Sequence, residues 1–168
     1  MPEYIAERFM LWIDFWRAFP SAEWWDRSYQ TANALCALRA GGLLGKGLGL
    51  GDPYLVPLVN SDFIYAAIAE ELGFIGSLSV ILLYLSIMIT GIRTAFHCRR
   101  RFDFFVVSAM TVMLSCQIII NIGGALNILP LTGVVLPLLS RSGFSLITFT
   151  ALIGVIMAVS HKNGCENL

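Results

Sequence analysis

Three stretches of this chain contain no charged residue, and each is long enough to cross a lipid bilayer as a helix. They run over residues 72–92, 104–140 and 142–160. A spanning helix needs about 20 consecutive apolar residues, so each stretch predicts one span. A soluble domain would carry about a quarter charged residues, whereas this chain has 13%. The sequence therefore predicts an all-α integral membrane protein with three C-terminal transmembrane helices.

The basic residues indicate how these spans are oriented. Arg93, Arg99, Arg100 and Arg101 fill the short link between the first two charge-free stretches. Short loops rich in Lys and Arg stay in the cytoplasm. We therefore expect residues 1–71 to be an extracytoplasmic segment, residues 72–160 the transmembrane bundle and residues 161–168 a cytoplasmic tail.

A long outside segment at the N-terminus needs an upstream span to deliver it across the membrane. We therefore expect this chain to be the second part of a larger protein. Its formal net charge of zero gives no indication of nucleic-acid binding. The four cysteines have no C-x-x-C spacing, and His97 and His161 lack neighbouring ligands. The sequence predicts no metal and no cofactor.

The predicted outside segment contains two amphipathic helices and a glycine-rich loop. Trp12, Phe15, Trp16 and Phe19 follow helical spacing, which suits the membrane–water interface. A second short helix is expected near residues 29–38. Glycines then recur from residue 41 to 51 around Lys46. Such a loop is either a flexible linker or a cradle whose N–H groups bind phosphate oxygens.

Carboxylates surround the start of the first span. Asp62 follows Asn60-Ser61, and Glu70 and Glu71 lie where the apolar run begins. A carboxylate at the rim of a span is costly unless it has partners or a task. Asp62 is either a helix N-cap or a chemically active group. The two glutamates could equally be interfacial charges.

Polar residues also lie within and after the second span. Gln117, Asn121 and Gly124 form a stripe that could hold helices together or line a cavity. The segment 129–146 combines two prolines and two glycines and stays apolar. Irregular backbone at membrane depth must be buried in protein or line a cavity. Arg141 within it is an anion partner or an interfacial charge.

In order along the chain, these motifs resemble the FtsW/RodA/SpoVE (SEDS) family of bacterial cell-shape and cell-division membrane proteins. The resemblance covers nearly the whole chain and is carried by Glu7-Arg8, Trp12, Tyr29-Gln30, Gly41-Gly42-Leu43-Leu44-Gly45-Lys46-Gly47, Ser61-Asp62-Phe63-Ile64, Ala69-Glu70-Glu71-Leu72-Gly73, Asn121-Ile122-Gly123, Leu129-Pro130-Leu131-Thr132-Gly133 and Leu136-Pro137. One departure is Ser140-Arg141-Ser142-Gly143-Phe144-Ser145-Leu146, where the family usually has Ser-Tyr-Gly-Gly-Ser-Ser-Leu.

The resemblance implies a ten-span fold in the bacterial plasma membrane, of which this chain is the large extracellular loop and the last three spans. It implies polymerisation of lipid II with a class B penicillin-binding protein as partner. A separate N-terminal half is a further candidate partner. The family's essential acid falls on Asp62, which we interpret as a general base. Lys46 and Arg141 are interpreted, from charge and position, as diphosphate partners.

The predicted substrate-binding residues are Lys46, Glu70, Gln117, Asn121 and Arg141. Two other functions stay open. One is transport of a lipid-linked precursor by a flippase along the Gln117 and Asn121 stripe. The other is a non-catalytic scaffold for the penicillin-binding protein.

Overall fold

The computed structural model describes residues 9–10, 12–13, 22–51 and 63–165. For residues 22–28, 30 and 163–165 only the backbone is described. Asp62 and the aromatic residues Phe15, Trp16 and Phe19 lie outside the described residues.

Within these ranges the chain is helical, with four long helices and no strand. They are α1 (Ala22–Gly41), α2 (Ile64–His97), α3 (Arg101–Ala125) and α4 (Gly143–Cys165). The segments Ile64–His97, Arg101–Ala125 and Gly143–Lys162 are long and apolar enough to cross a membrane. The prediction of three C-terminal transmembrane helices is therefore confirmed. The short helix expected near residues 29–38 is the C-terminal half of the longer α1.

Helix α2 extends well beyond its charge-free stretch. Its 34 residues would measure about 51 Å as a straight helix, against a hydrocarbon core of about 30 Å. Gly73 divides it, with φ of 69° and ψ of −164° that no α-helix contains. The first part, before Gly73, carries Glu70 and Glu71. The second part, after Gly73, is the apolar span.

The α2–α3 pair forms the centre of the bundle. A Cβ atom on Gly91 of α2 would lie 2.5 Å from the Thr111 hydroxyl oxygen of α3. Glycine thus permits an approach that a larger residue would prevent, as is common between membrane helices. Tyr84, Val107 and Leu114 belong to the core of this contact, and Phe149 and Leu152 add the inner face of α4.

An ion pair joins α3 and α4 at one end of the bundle. The Lys162 Nζ atom lies 3.2 Å from the Asp103 Oδ2 atom. Asp103 is buried in the first turn of α3, where a carboxylate also favours the positive end of the helix dipole. The glycine-rich segment that follows α1 lies beside the first part of α2, ahead of the span.

Candidate functional site

The glycine loop (residues 42–51) supplies the hydrogen bonds that the kink at Gly73 removes from α2. In an unbroken helix the N–H groups of residues 74 and 75 would bond the carbonyls of residues 70 and 71. Here the Phe74 and Ile75 N–H groups donate to the Gly42 and Leu43 carbonyls, at 2.9 and 3.4 Å. The carbonyls of residues 70 and 71 accept instead from the N–H groups of residues 46 and 47, both at 3.0 Å. Loop and helix therefore exchange four backbone bonds.

This exchange excludes a flexible linker, and it occupies three of the N–H groups that a phosphate cradle could use. A flexible linker would not be tied to α2 at four points. A phosphate cradle would present free N–H groups, but those of Gly45, Lys46 and Gly47 are all donated to protein carbonyls. Residues 42–47 of the loop are a fixed part of the fold because these backbone bonds tie them to α1 and α2.

Three glycines make this contact sterically possible. A Cβ atom would lie 2.0 Å from the Ala69 carbonyl oxygen at Gly41 and 2.1 Å from the Glu71 carbonyl oxygen at Gly45. At Gly73 it would lie 2.3 Å from the Gly45 nitrogen. Gly45 and Gly73 also have φ of 80° and 69°, a region that glycine adopts without strain. The glycine pattern therefore reflects backbone contact.

Lys46 and Glu70 form a salt bridge beside these backbone bonds. The Lys46 Nζ atom lies 2.6 Å from the Glu70 Oε1 atom, and the two side chains are 36% and 5% exposed. The buried carboxylate is thus neutralised by a lysine whose side chain is partly exposed. Glu71 is half-buried. Of the two alternatives for Glu70, the structure favours a partnered carboxylate over an interfacial charge.

Phe63 fixes the chain immediately after Asp62. Its side chain is fully buried against Ala34 and Ala37 of α1 and Ala66 of α2, with Leu131 at the edge of this cluster. Leu131 comes from the segment between α3 and α4. Three separate parts of the chain therefore meet at the residue that follows the predicted base.

The segment 126–142 is irregular, and polar side chains of the spans hold it. Residues 143–146, which the sequence placed in the irregular segment, instead begin α4. The Tyr84 hydroxyl donates to the Pro137 carbonyl. The Asn121 Nδ2 atom donates to the Val134 carbonyl at 2.5 Å, and Gln117 donates to the Val135 carbonyl at 3.4 Å. These amides thus satisfy carbonyls that would otherwise be unpaired near membrane depth. The structure brings Gln117 and Asn121 together on this segment.

One further contact and one exposed charge lie at this end of the bundle. The Trp12 indole N–H donates to the Asn127 carbonyl at 3.1 Å, which ties the N-terminal part to the segment after α3. Asn127 has φ of 54°, typical of the residue that ends a helix. Arg141 is exposed and has no ion pair with any described residue.

Sequence reasoning missed Tyr84, the role of Gly73 and the pairing of Lys46 with Glu70. A lone tyrosine in an apolar span is a usable signal, because a buried hydroxyl needs an acceptor. A glycine just inside a span next to two glutamates is a weaker one. The salt bridge had no local signal, since its partners lie on different elements.

A sequence model of the FtsW, RodA and SpoVE cell cycle proteins matches residues 1–164 of this chain. The chain belongs to this family. The resemblance drawn from the motifs is therefore confirmed. With its three apolar helices, membership places the chain among multi-pass proteins of the bacterial plasma membrane.

Curated relatives from three branches of the family are similar over most of the chain. The peptidoglycan glycosyltransferase RodA of Mycobacterium tuberculosis is 35% identical over 95% of this chain and 33% of its own length. The probable peptidoglycan glycosyltransferase FtsW of Borreliella burgdorferi is 42% identical over 84% of this chain and 39% of its own length. Stage V sporulation protein E of Bacillus subtilis is 37% identical over 79% of this chain and 37% of its own length. The chain thus spans a third or slightly more of these relatives.

Two solved structures share the fold. One is described as the structural coordination of polymerization and crosslinking by a peptidoglycan synthase complex. It has a TM-score of 0.75 and 27% identity, covering 97% of this chain and 43% of that one. The other is a mutant of the rod shape determining protein RodA of Thermus thermophilus. It has a TM-score of 0.61 and 29% identity, covering 95% of this chain and 49% of that one.

Proposed function

We propose that this chain is the C-terminal part of a peptidoglycan glycosyltransferase that polymerises lipid II in cell elongation, division or sporulation. Relatives named as peptidoglycan glycosyltransferases support the reaction class. The preceding spans of the family fold and a class B penicillin-binding protein would complete the working assembly. The likeness to a peptidoglycan synthase complex supports such a partner.

The burial of Phe63 is the observation that carries the proposed role of Asp62 as general base. Asp62 is bonded directly to Phe63, whose side chain is 0% exposed among α1, α2 and the segment after α3. A base must be held within hydrogen-bond reach of the proton that it abstracts. A neighbouring residue that is locked in a packed cluster restricts where the carboxylate can go.

In the proposed reaction the Asp62 carboxylate removes the proton from the acceptor sugar hydroxyl. The acceptor oxygen then forms a bond to the anomeric carbon of the donor, and the bond from that carbon to the diphosphate breaks. The leaving lipid diphosphate carries the electron pair and needs cationic partners. Lys46, whose side chain is partly exposed, and Arg141, which is exposed, are the candidates in this part of the protein.

The alternative roles assigned to Gln117 and Asn121 receive less support. Both amides donate to carbonyls of segment 126–142, which accounts for their place in the stripe without a transported substrate. A scaffold function does not require the Asp62 carboxylate. The three hypotheses therefore predict different effects of substituting Asp62.

The test combines the purified chain with a polypeptide carrying the preceding spans and with the penicillin-binding protein, then supplies labelled lipid II. We expect Asp62→Asn to slow glycan formation by about 10²–10⁴-fold, the usual contribution of a general base. Glu71→Gln, a half-buried carboxylate on the same end of α2, is the matched control and should polymerise normally. Gel electrophoresis of the labelled chains gives the readout.

Equal polymerisation by both variants would show that Asp62 is not the base. If Asp62→Asn stopped labelled lipid II from crossing the liposome membrane but left polymerisation intact, the result would favour transport. An assembly that binds the penicillin-binding protein but makes no glycan with any variant would favour the scaffold.

A further inference from the structure

The turn between α2 and α3, at the end of the bundle away from the glycine loop, contains a cavity that the proposed function does not use. Its volume is about 340 Å³, and Cys98, Arg99, Arg101, Phe104 and Phe105 line it. This size falls at the lower end of the range for small-molecule sites. Two guanidinium groups and two phenyl rings thus share one opening.

The local charge is strongly positive. Residues 93–105 contain four arginines and a single acid, Asp103. The Asp103 carboxylate is buried and paired with Lys162 of α4, so it is already neutralised. Arg99 and Arg101 are exposed and form no ion pair with the described residues. The cavity therefore offers charge to an anion from outside the chain.

The apolar surroundings indicate that this anion belongs to an amphiphile. Phe102 and Phe105 are 76% and 66% exposed, and Phe96 is 77% exposed just before the turn. The Phe104 ring, which lies between, contacts both Phe96 and Phe105, with centroids 6.4 and 5.5 Å apart. Exposed rings beside arginines suit a molecule with a charged head and a hydrocarbon body.

The position along the spans agrees with this chemistry. The charge-free stretch of α2 ends at Ile92 and that of α3 begins at Phe104, so the turn lies at the membrane–water boundary. Arginine stems can follow apolar surface there while the guanidinium stays among headgroups. Basic pockets between spanning helices on the cytoplasmic side are typical sites for anionic lipid headgroups.

We propose that this cavity binds the phosphodiester headgroup of an anionic membrane phospholipid. Arg99 and Arg101 contact the phosphate, and the rings of Phe104 and Phe105 contact the glycerol and upper acyl chains. Arginine is suited to this role because its planar fork matches phosphate oxygens. The proposal is independent of Asp62 and of glycan synthesis.

Cys98 provides a probe inside the cavity. It is half-buried and in no disulfide, and its thiol donates to the Thr94 carbonyl at 3.2 Å, whereas Cys36 is an exposed thiol on α1, outside the cavity. The full chain is placed in nanodiscs of phosphatidylcholine with increasing fractions of phosphatidylglycerol. Alkylation by neutral iodoacetamide is then followed at each cysteine by mass spectrometry. We expect phosphatidylglycerol to slow alkylation of Cys98 several-fold and to leave Cys36 unchanged.

Arginine variants test whether the cavity itself is responsible. Arg99→Gln and Arg101→Gln should each raise the phosphatidylglycerol fraction needed for half-maximal protection about fivefold. Arg93→Gln removes the same charge from an exposed site on α2 outside the cavity, and it should behave as wild type. The three substituted arginines are exposed, so the fold should survive, as circular dichroism can check.

Three results would overturn the proposal. The first is the absence of protection at Cys98. The second is equal loss of protection in the Arg93 and Arg99 variants, which would indicate diffuse surface charge. The third is equal protection by inorganic phosphate added to phosphatidylcholine nanodiscs, which would indicate a site for free phosphate.

Discussion

At the scale of single residues, the two partners of the Lys46–Glu70 pair differ strongly in exposure. The Glu70 side chain is 5% exposed and that of Lys46 is 36% exposed. Removing one partner of a buried pair is costly because it leaves a charge away from water. A partly exposed lysine side chain can move into water when it loses its partner. The two residues should therefore differ in how much each substitution costs.

We expect Lys46→Met to lower the free energy of unfolding by about 2–3 kcal/mol and Glu70→Gln by about 1 kcal/mol. The double variant should be more stable than Lys46→Met alone, because no carboxylate is then left behind. Thermal unfolding in detergent micelles gives these values. Arg39→Met, at an exposed position in the last turn of α1, is the control and should change stability little.

The charge-swapped variant, Lys46→Glu with Glu70→Lys, separates a structural role from a substrate role. Recovered stability together with normal glycan synthesis would mean that Lys46 acts only through Glu70. Recovered stability with lost synthesis would support contact between Lys46 and the diphosphate. If Glu70→Gln proves more damaging than Lys46→Met, the asymmetry argument is wrong.

At the scale of elements, the kink in α2 depends on a loop that arrives from another part of the chain. A helix broken at Gly73 would lose the bonds from residues 74 and 75 to residues 70 and 71. The glycine loop restores partners for all four groups. The loop and the first part of α2 should therefore be ordered together and lost together.

Gly73→Ala should disrupt this unit. The added Cβ would meet the Gly45 nitrogen at 2.3 Å and the Leu43 carbonyl oxygen at 2.7 Å, with φ still at 69°. We expect a loss of at least about 3 kcal/mol in stability, because both backbone strain and overpacking contribute. Hydrogen exchange followed by mass spectrometry should show faster exchange at residues 42–47 and 70–75.

The matched control is Gly154→Ala in α4. A Cβ atom there has no atom within 4 Å, so the same substitution should be neutral or slightly stabilising, in line with helix propensity. Similar exchange rates in the two variants would contradict the account of the kink.

The sequence predicted some of these features and missed others for identifiable reasons. Absence of charge over a span is a local property, and so is a cluster of prolines and glycines. The three transmembrane helices and the irregular segment after α3 could therefore be predicted directly from the sequence. Burial of Glu70 in an extended α2 depends on Lys46, which no local pattern reveals. The glycines of the loop indicated that something approaches its backbone closely, but glycine does not specify whether this is a ligand or the backbone of another helix. Asp62 was identified through its motif, and its placement remains a prediction.

At the scale of the whole molecule, the chain has two chemically different ends. One end combines the glycine loop, the Lys46–Glu70 pair and segment 126–142. The other carries the arginines of the α2–α3 turn and the Asp103–Lys162 pair. Most residues of the three spans lie at the surface of this chain. That surface is available to lipid and to other membrane helices, and the chain matches about a third of the length of the Mycobacterium tuberculosis relative.

The orientation of these two ends follows from the positive-inside rule and can be measured with the chain's own cysteines. Cys36 is exposed on α1 at the glycine-loop end, and Cys98 lies in the arginine-rich turn. In cells that express the chain behind the preceding spans of the family fold, a membrane-impermeant maleimide should label Cys36 and spare Cys98. Permeabilised cells should show labelling of both, which confirms that each thiol is reactive. Cys116, in the middle of α3, should stay unlabelled by the impermeant reagent in either case.

Labelling of Cys98 in intact cells would show that the topology is the reverse of the predicted one. It would place the arginine cavity in the outer leaflet and Asp62 on the side away from the cell wall, where it could not act on a growing glycan strand.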